Sequence, residues 1–84
     1  MSDDITTLNG LEDGASALVL SVIGEDAVAR RIADLGFWKD TPVTVVRRAP
    51  AGDPLEVKLR GFRLALRIEE AARVSVIPLS ENEG

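Results

Sequence analysis

The chain contains no cysteine, no histidine and no tyrosine, with one tryptophan, two phenylalanines and one methionine among its 84 residues. Without cysteine there is no disulfide scaffold and no thiolate ligand. Without histidine there is no imidazole to bind zinc or ferrous iron, and no Cys-His or Ser-His-Asp constellation. Ser16, Ser21, Ser75 and Ser80 have no base to activate them, and the phosphate-binding pattern GxxxxGK[ST] is missing. The apolar runs are short and broken by charge, so no segment is expected to span a bilayer or to act as a signal peptide. These absences point to a soluble, cytoplasmic, non-catalytic chain without a cofactor.

Carboxylates are the remaining metal ligands, and their placement is poor. Asp53 sits in a tight loop. Glu69 and Glu70 are adjacent near a helical start, where side chains diverge by about 100° and do not converge on one ion. The expected roles are a turn-stabilising hydrogen bond for Asp53 and a favourable interaction with the helix dipole for Glu69 or Glu70. Gly24-Glu25-Asp26 opens a helix, but its two acids would repel a phosphate. Neither a catalytic residue nor a metal ligand is assigned.

The net charge of −4 is located at the ends, because Asp3, Asp4, Glu81 and Glu83 account for all of it. Residues 5 to 40 hold three basic and six acidic groups, whereas residues 41 to 80 hold seven basic and four acidic. A positive face around Arg47, Arg48, Lys58, Arg60, Arg63 and Arg67 follows if their side chains converge. As single outward strand positions, the same charges would keep the sheet soluble and shield its edges. An acidic chain with few aromatics lacks the equipment to neutralise phosphates or stack bases, so nucleic acid is not an expected partner.

The length corresponds to one domain. Residues 1–7 and 80–84 are polar tails around an ordered core of about residues 8–78. The run Ala15 to Ile23 is β-rich and apolar on both faces, and predicts a first long strand that Gly24 ends. From Glu25 to Leu35 the period becomes helical, with Val28, Ile32 and Leu35 forming one apolar stripe. Gly36 follows where a left-handed C-terminal cap favours glycine, and Phe37 is placed for the accompanying apolar contact. Thr41 to Arg48 is the second strand.

Pro50, Gly52, Asp53 and Pro54 make Ala49 to Pro54 a compact loop that continues neither neighbouring strand. Leu55, Val57 and Leu59 then alternate with Glu56, Lys58 and Arg60, the period-2 pattern of a strand with one buried face. Gly61 turns the chain, Leu64 and Leu66 share a face, residues 69–72 make one helical turn, and Val74 and Val76 alternate up to Pro78. The expected fold is mainly β. It is a small antiparallel barrel of about five strands, with one helix inserted after the first long strand and a short helical turn before the last.

Three segments carry a family resemblance: Arg31-Ile32-Ala33-Asp34-Leu35-Gly36, Ala49-Pro50-Ala51-Gly52-Asp53-Pro54, and Gly61-Phe62-Arg63-Leu64-Ala65-Leu66-Arg67. In this order and spacing the chain resembles ferrous iron transport protein A, the FeoA family, from about Leu8 to Pro78. Ile32 stands where the family usually has leucine. The fold this implies is an SH3-like barrel, similar to the C-terminal domain of iron-dependent repressors of the diphtheria toxin repressor type.

The resemblance implies an accessory function in bacterial ferrous iron uptake, with the membrane transporter FeoB, approached from its cytosolic side, as partner. An alternative is a stand-alone SH3-like interaction domain serving metal-dependent transcriptional regulation. A third is a homo-oligomer that buries Trp38 and an open barrel edge. For the contact surface the residues themselves are informative. Phe37 and Trp38 are adjacent, so on an extended backbone they face opposite ways. Phe37 is expected inward and Trp38 outward, where Trp38 with Leu35 and a cationic Arg31 would form an anchor for a partner. The Pro50 to Pro54 loop is the second candidate surface.

Overall fold

A computed structural model describes residues 4–79. The strands are β1 (Thr6–Thr7), β2 (Ser16–Val22), β3 (Pro42–Arg48), β4 (Leu55–Leu59), β5 (Phe62–Leu66) and β6 (Val74–Pro78). Two helices interrupt them, α1 (Ala27–Asp34) after β2 and α2 (Ile68–Ala71) before β6, and a 3-10 turn covers Leu8–Gly10. All six strands form one antiparallel sheet in the order β1-β6-β2-β3-β4-β5.

Alternation decides which face of each strand is buried. Val43 and Val45 on β3 and Leu55, Val57 and Leu59 on β4 are buried, as are Ala17 and Val19 on β2 and Val74 and Val76 on β6. The register stacks these positions across strands: Val43 faces Leu59, Val45 faces Val57, and Val19 faces Val76. Two irregularities, between Val19 and Ser21 and between Val45 and Arg47, add a residue on one side of a ladder. Bulges of this kind bend a strand and increase its twist, which curls the sheet around its core. Leu8, Leu11, Ile32, Phe37, Leu66 and Ala71 close that core.

The expected mainly β fold of about five strands, with one helix after the first long strand and a short one before the last, is the fold observed. Among the described residues a further two-residue strand joins it, because Thr6 and Thr7, placed in the expected amino-terminal tail, pair with Val76 and Ser75. Residues 1–3 and 80–84, the rest of the expected tails, lie outside the described residues. The helix begins at Ala27 instead of Glu25, since Asp26 keeps an extended backbone and its carboxylate accepts the Ala29 amide at 3.3 Å as the N-cap. Its inward face is Ala29 and Ile32, with Val28 partly buried, whereas Leu35 is 39% exposed.

Arginines tie the periphery together. Arg73, just before β6, donates to both carboxylate oxygens of Asp26 at 2.8 and 2.9 Å and to the Ile23 carbonyl at 3.2 Å. Arg48 donates to the Asn9 and Leu11 carbonyls at 3.1 and 2.9 Å, fixing the 3-10 turn to the end of β3. The Arg73 hydrogen bonds, and then the Ala29 amide, hold the Asp26 carboxyl well below the usual carboxylate range.

A depressed carboxyl stabilises the folded state fully above its unfolded value, and that stability is lost as pH falls through the folded one. Asp26→Asn keeps a good N-cap but removes the charge. It should lower the melting temperature by a constant amount above about pH 5, and the difference should shrink below about pH 4. Circular dichroism melts of both proteins across this range check it. A gap unchanged at low pH would show that the ion pair adds nothing through charge.

Candidate interaction surface

The residues around Trp38 are organised by two left-handed turns. Gly36, just beyond α1, has φ 112°, and its amide donates to the Ala33 carbonyl at 3.0 Å. This is the helix cap that the position of Gly36 suggested. The chain then folds tightly: Trp38 N–H donates to the Gly36 carbonyl at 2.8 Å, and Thr41 N–H to that of Trp38 at 3.0 Å. Asp40 N–H and Thr41 C=O bond to Val19, anchoring the segment on β2.

The second turn joins β4 to β5. Arg60 and Gly61 have φ of 50° and 91°, a two-residue connection with both central residues left-handed. It brings the Arg60 guanidinium over the Trp38 ring, 4.3 Å from its centroid. The indole is held from its other end as well, because Trp38 Nε1 donates to the Ala33 carbonyl at 2.9 Å. The ring therefore closes the carboxyl end of α1 while Arg60 covers one of its faces.

Phe37 is 2% exposed and belongs to the core, whereas Trp38 is 53% exposed. Phe37 can support the surface only from beneath. Leu35 lies one helical turn from Arg31, but the Arg31 guanidinium is taken by Glu70 of α2. The cationic neighbour of Trp38 is therefore Arg60 rather than Arg31. Sequence reasoning missed this pairing, although an arginine at the first position of an Arg-Gly hairpin turn was a visible signal. Phe62, beside that turn, is also 53% exposed.

The second candidate surface is elsewhere. Pro50, Gly52, Asp53 and Pro54 precede Leu55, at the far end of β4 from Arg60, about 13 Å along the strand. The loop is compact, with Gly52 N–H donating to the Ala49 carbonyl at 2.7 Å and Ala49 N–H to that of Pro54 at 3.0 Å. Asp53 does not bond within its own loop. Its carboxylate accepts the Ile68 amide at 3.0 Å, and Glu70 accepts that of Arg67 at 2.8 Å, so both acids serve the start of α2.

The basic residues of the second half are divided among several partners. Arg47 and Arg63 share Glu56 at 3.5 and 3.3 Å, Arg48 holds carbonyls and Arg60 covers Trp38. Among the described residues no group of three carboxylates, histidines or cysteines could hold a metal ion, and no helix is long and apolar enough to cross a membrane.

A small, curled antiparallel sheet with a helix between its first long strands and an exposed stacked tryptophan defines a domain of the SH3-like class. The FeoA domain model matches residues 6–78, and the chain belongs to the FeoA family. A curated relative from Porphyromonas gingivalis, an Fe(2+) transport protein A/Fe(2+) transporter FeoB fusion protein, is 33% identical over 75 residues. That match takes in 89% of this chain and 9% of the fusion protein's length.

Among solved structures, a FeoA-like protein from Clostridium acetobutylicum superposes with a TM-score of 0.88 at 33% identity, covering all of this chain and 96% of the other. FeoA of Stenotrophomonas maltophilia, complexed with zinc and described as an SH3 domain protein possibly acting as a ferrous iron transport activating factor, is 45% identical. Its TM-score is 0.76 over 84% of this chain and 88% of the other. A manganese-dependent transcriptional repressor, 21% identical with a TM-score of 0.78, shares the fold over 43% of its length.

Two substitutions probe the stack. A Cβ at Gly36 would collide with the Arg60 guanidinium and sit on left-handed backbone. Gly36→Ala should therefore cost about 1–2 kcal/mol and lower the melting temperature by roughly 4–8 °C per kcal/mol. Arg60→Asn keeps a residue that tolerates positive φ while removing the cation. A shift in Trp38 fluorescence with a loss of about 0.5–1 kcal/mol is expected, and an unchanged emission spectrum would count against the stack in solution.

Proposed function

We propose that this chain is a cytoplasmic accessory protein of bacterial ferrous iron uptake that binds the cytosolic side of the transporter FeoB. The observation that carries this reading is the P. gingivalis relative, in which a segment similar to this chain and FeoB share one polypeptide. Fusion replaces encounter by a high effective concentration, which is useful only for two modules that work in contact. The chain's own chemistry agrees. With no imidazole or thiolate it is poorly equipped to carry iron, and it would act by binding one state of the transporter more tightly than another.

The contact surface is Trp38 with Leu35 and Arg60, with Phe37 holding the backbone beneath and Arg31 fixing α1 to α2. An exposed tryptophan already stacked and hydrogen-bonded loses little rotamer freedom on binding, which favours it as an anchor. The Pro50 to Pro54 loop, tied to α2 by Asp53, is read as a rigid connection.

The test is the affinity of the purified protein for detergent-solubilised FeoB from the source organism, with Leu35→Asp and Trp38→Ala as variants and their folding checked by circular dichroism. Binding by the parent chain, weakened about tenfold by either change, is the expected result. A Kd within about twofold of the parent, less than ~0.4 kcal/mol, would remove the surface from the proposal. A parent chain that does not bind would remove the function.

A further inference from the structure

The sheet ends at β5. Among the described residues this strand pairs only with β4, in an uninterrupted register from Leu59↔Phe62 to Leu55↔Leu66. Leu59 and Phe62 flank a two-residue turn, so they exchange main-chain hydrogen bonds, and every second pair after them does the same. Phe62, Leu64 and Leu66 thus direct their main-chain groups to β4. Those of Arg63 and Ala65 point outward, and among the described residues no main-chain bond outside the β4–β5 ladder involves them. Natural edges are blunted by proline, bulges, several charges or a covering element. The β5 edge has neither proline nor bulge, Arg63 is its one charge, and both Arg63 and Ala65 are exposed.

A groove of about 250 Å³ opens beside this edge, lined by Arg47, Pro54, Glu56, Leu64, Ala65 and the chain's own Arg63. Glu56 lies directly across β4–β5 from Ala65, and within the single chain its carboxylate meets Arg47 at 3.5 Å and Arg63 at 3.3 Å.

We propose that β5 pairs antiparallel with β5 of a second copy of this chain, about a two-fold axis at Leu64, with Arg63 of each copy reaching over Ala65 of the other into the groove at Glu56. Main-chain geometry allows three such registers, because outward groups must meet outward groups. Centring on Arg63 sets Arg63 against Arg63, and centring on Ala65 sets Arg63 against Arg67. The register centred on Leu64 opposes Arg63 with Ala65 and avoids both like-charge contacts.

The same register lines up the apolar face. Leu64 meets Leu64 and Phe62 meets Leu66, so Phe62, which is 53% exposed in the single chain, gains cover. Glu56 is held by Arg47 and Arg63 within the single chain, so in the pair each Arg63 exchanges its own Glu56 for that of the other copy, which keeps the ion pairs without adding one. Self-pairing is isologous, so the symmetry closes at two copies and leaves no further edge of this kind to extend.

Sedimentation of the full chain over a concentration series reaching the millimolar range tests this, with Ala65→Lys as the variant and amide hydrogen exchange of the parent as an independent measurement. The parent should dimerise reversibly, with Arg63 and Ala65 amides gaining protection as concentration rises. Ala65→Lys fills the groove and opposes Arg63 with a like charge at both symmetric positions, so dimerisation should weaken about tenfold or more. A parent that stays monomeric throughout, including one whose edge instead accepts a strand from another protein, overturns the proposal. So does a dimer in which Ala65→Lys has no effect, or whose Arg63 and Ala65 amides exchange as in the monomer.

Discussion

Positive backbone dihedrals at Arg60 and Gly61, 50° and 91°, make the connection from β4 to β5 a two-residue turn, and the hairpin's register follows from it. Glycine accepts such a dihedral freely, whereas arginine does so at a cost. What offsets that cost is visible in the side chain. The turn carries the guanidinium across to the Trp38 ring, above the Gly36 backbone, where a Cβ would leave no room. One local constraint therefore sets the faces of β5, the orientation of its outward main-chain groups and the cover over the tryptophan.

The arginines show how a residue type that reads as a charged face in the sequence becomes a set of ties in three dimensions. Arg73 joins β6 to the start of α1, Arg31 joins α1 to α2, and Arg48 joins β3 to the 3-10 turn. Arg47 and Arg63 bracket Glu56 on the outer face of the sheet. A planar fork with several donors suits this work, because it can satisfy two oxygens at once while its stem covers apolar surface. Cations held singly in this way do not add up to the field that phosphate binding needs.

Much of the fold is legible in the sequence because period-2 alternation is a local signal. Leu55, Val57 and Leu59 name both the strand and its buried face, and the Pro50 to Pro54 loop and Gly36 mark where elements stop. The rest depends on contacts remote in sequence. Two threonines carry no alternation, so β1 exists only because β6 offers an edge to pair with. Glu25 and Asp26 both look like first-turn acids, and the Arg73 guanidinium, 47 residues from Asp26, stands where only Asp26 as the N-cap can meet it. The split between Phe37 and Trp38 was anticipated for an extended chain, but the segment is a tight turn in which Trp38 N–H bonds the Gly36 carbonyl, so the turn and the Ala33 hydrogen bond are what direct the two rings apart. The choice of Arg60 over Arg31 was not readable, since it turns on Glu70 reaching α1 first.

Trp38 shows how structural and functional roles can share one side chain. Its indole N–H is a second donor, beside the Gly36 amide, to the Ala33 carbonyl at the end of α1, one of the groups that lie beyond the helix's own hydrogen bonds. Its face is covered by Arg60 on one side and remains half exposed overall. A large aromatic left on a surface usually lowers solubility, but here the ring is fixed by a hydrogen bond, a cation and a tight loop anchored on Val19. Fixing an exposed ring in this way removes most of the rotamer entropy that binding would otherwise have to overcome. Truncating it would remove one of the two hydrogen bonds to the Ala33 carbonyl as well as a contact. The measured loss of binding on truncation therefore overstates the contact itself, and Leu35, which makes no such bond, is the cleaner probe of the same surface.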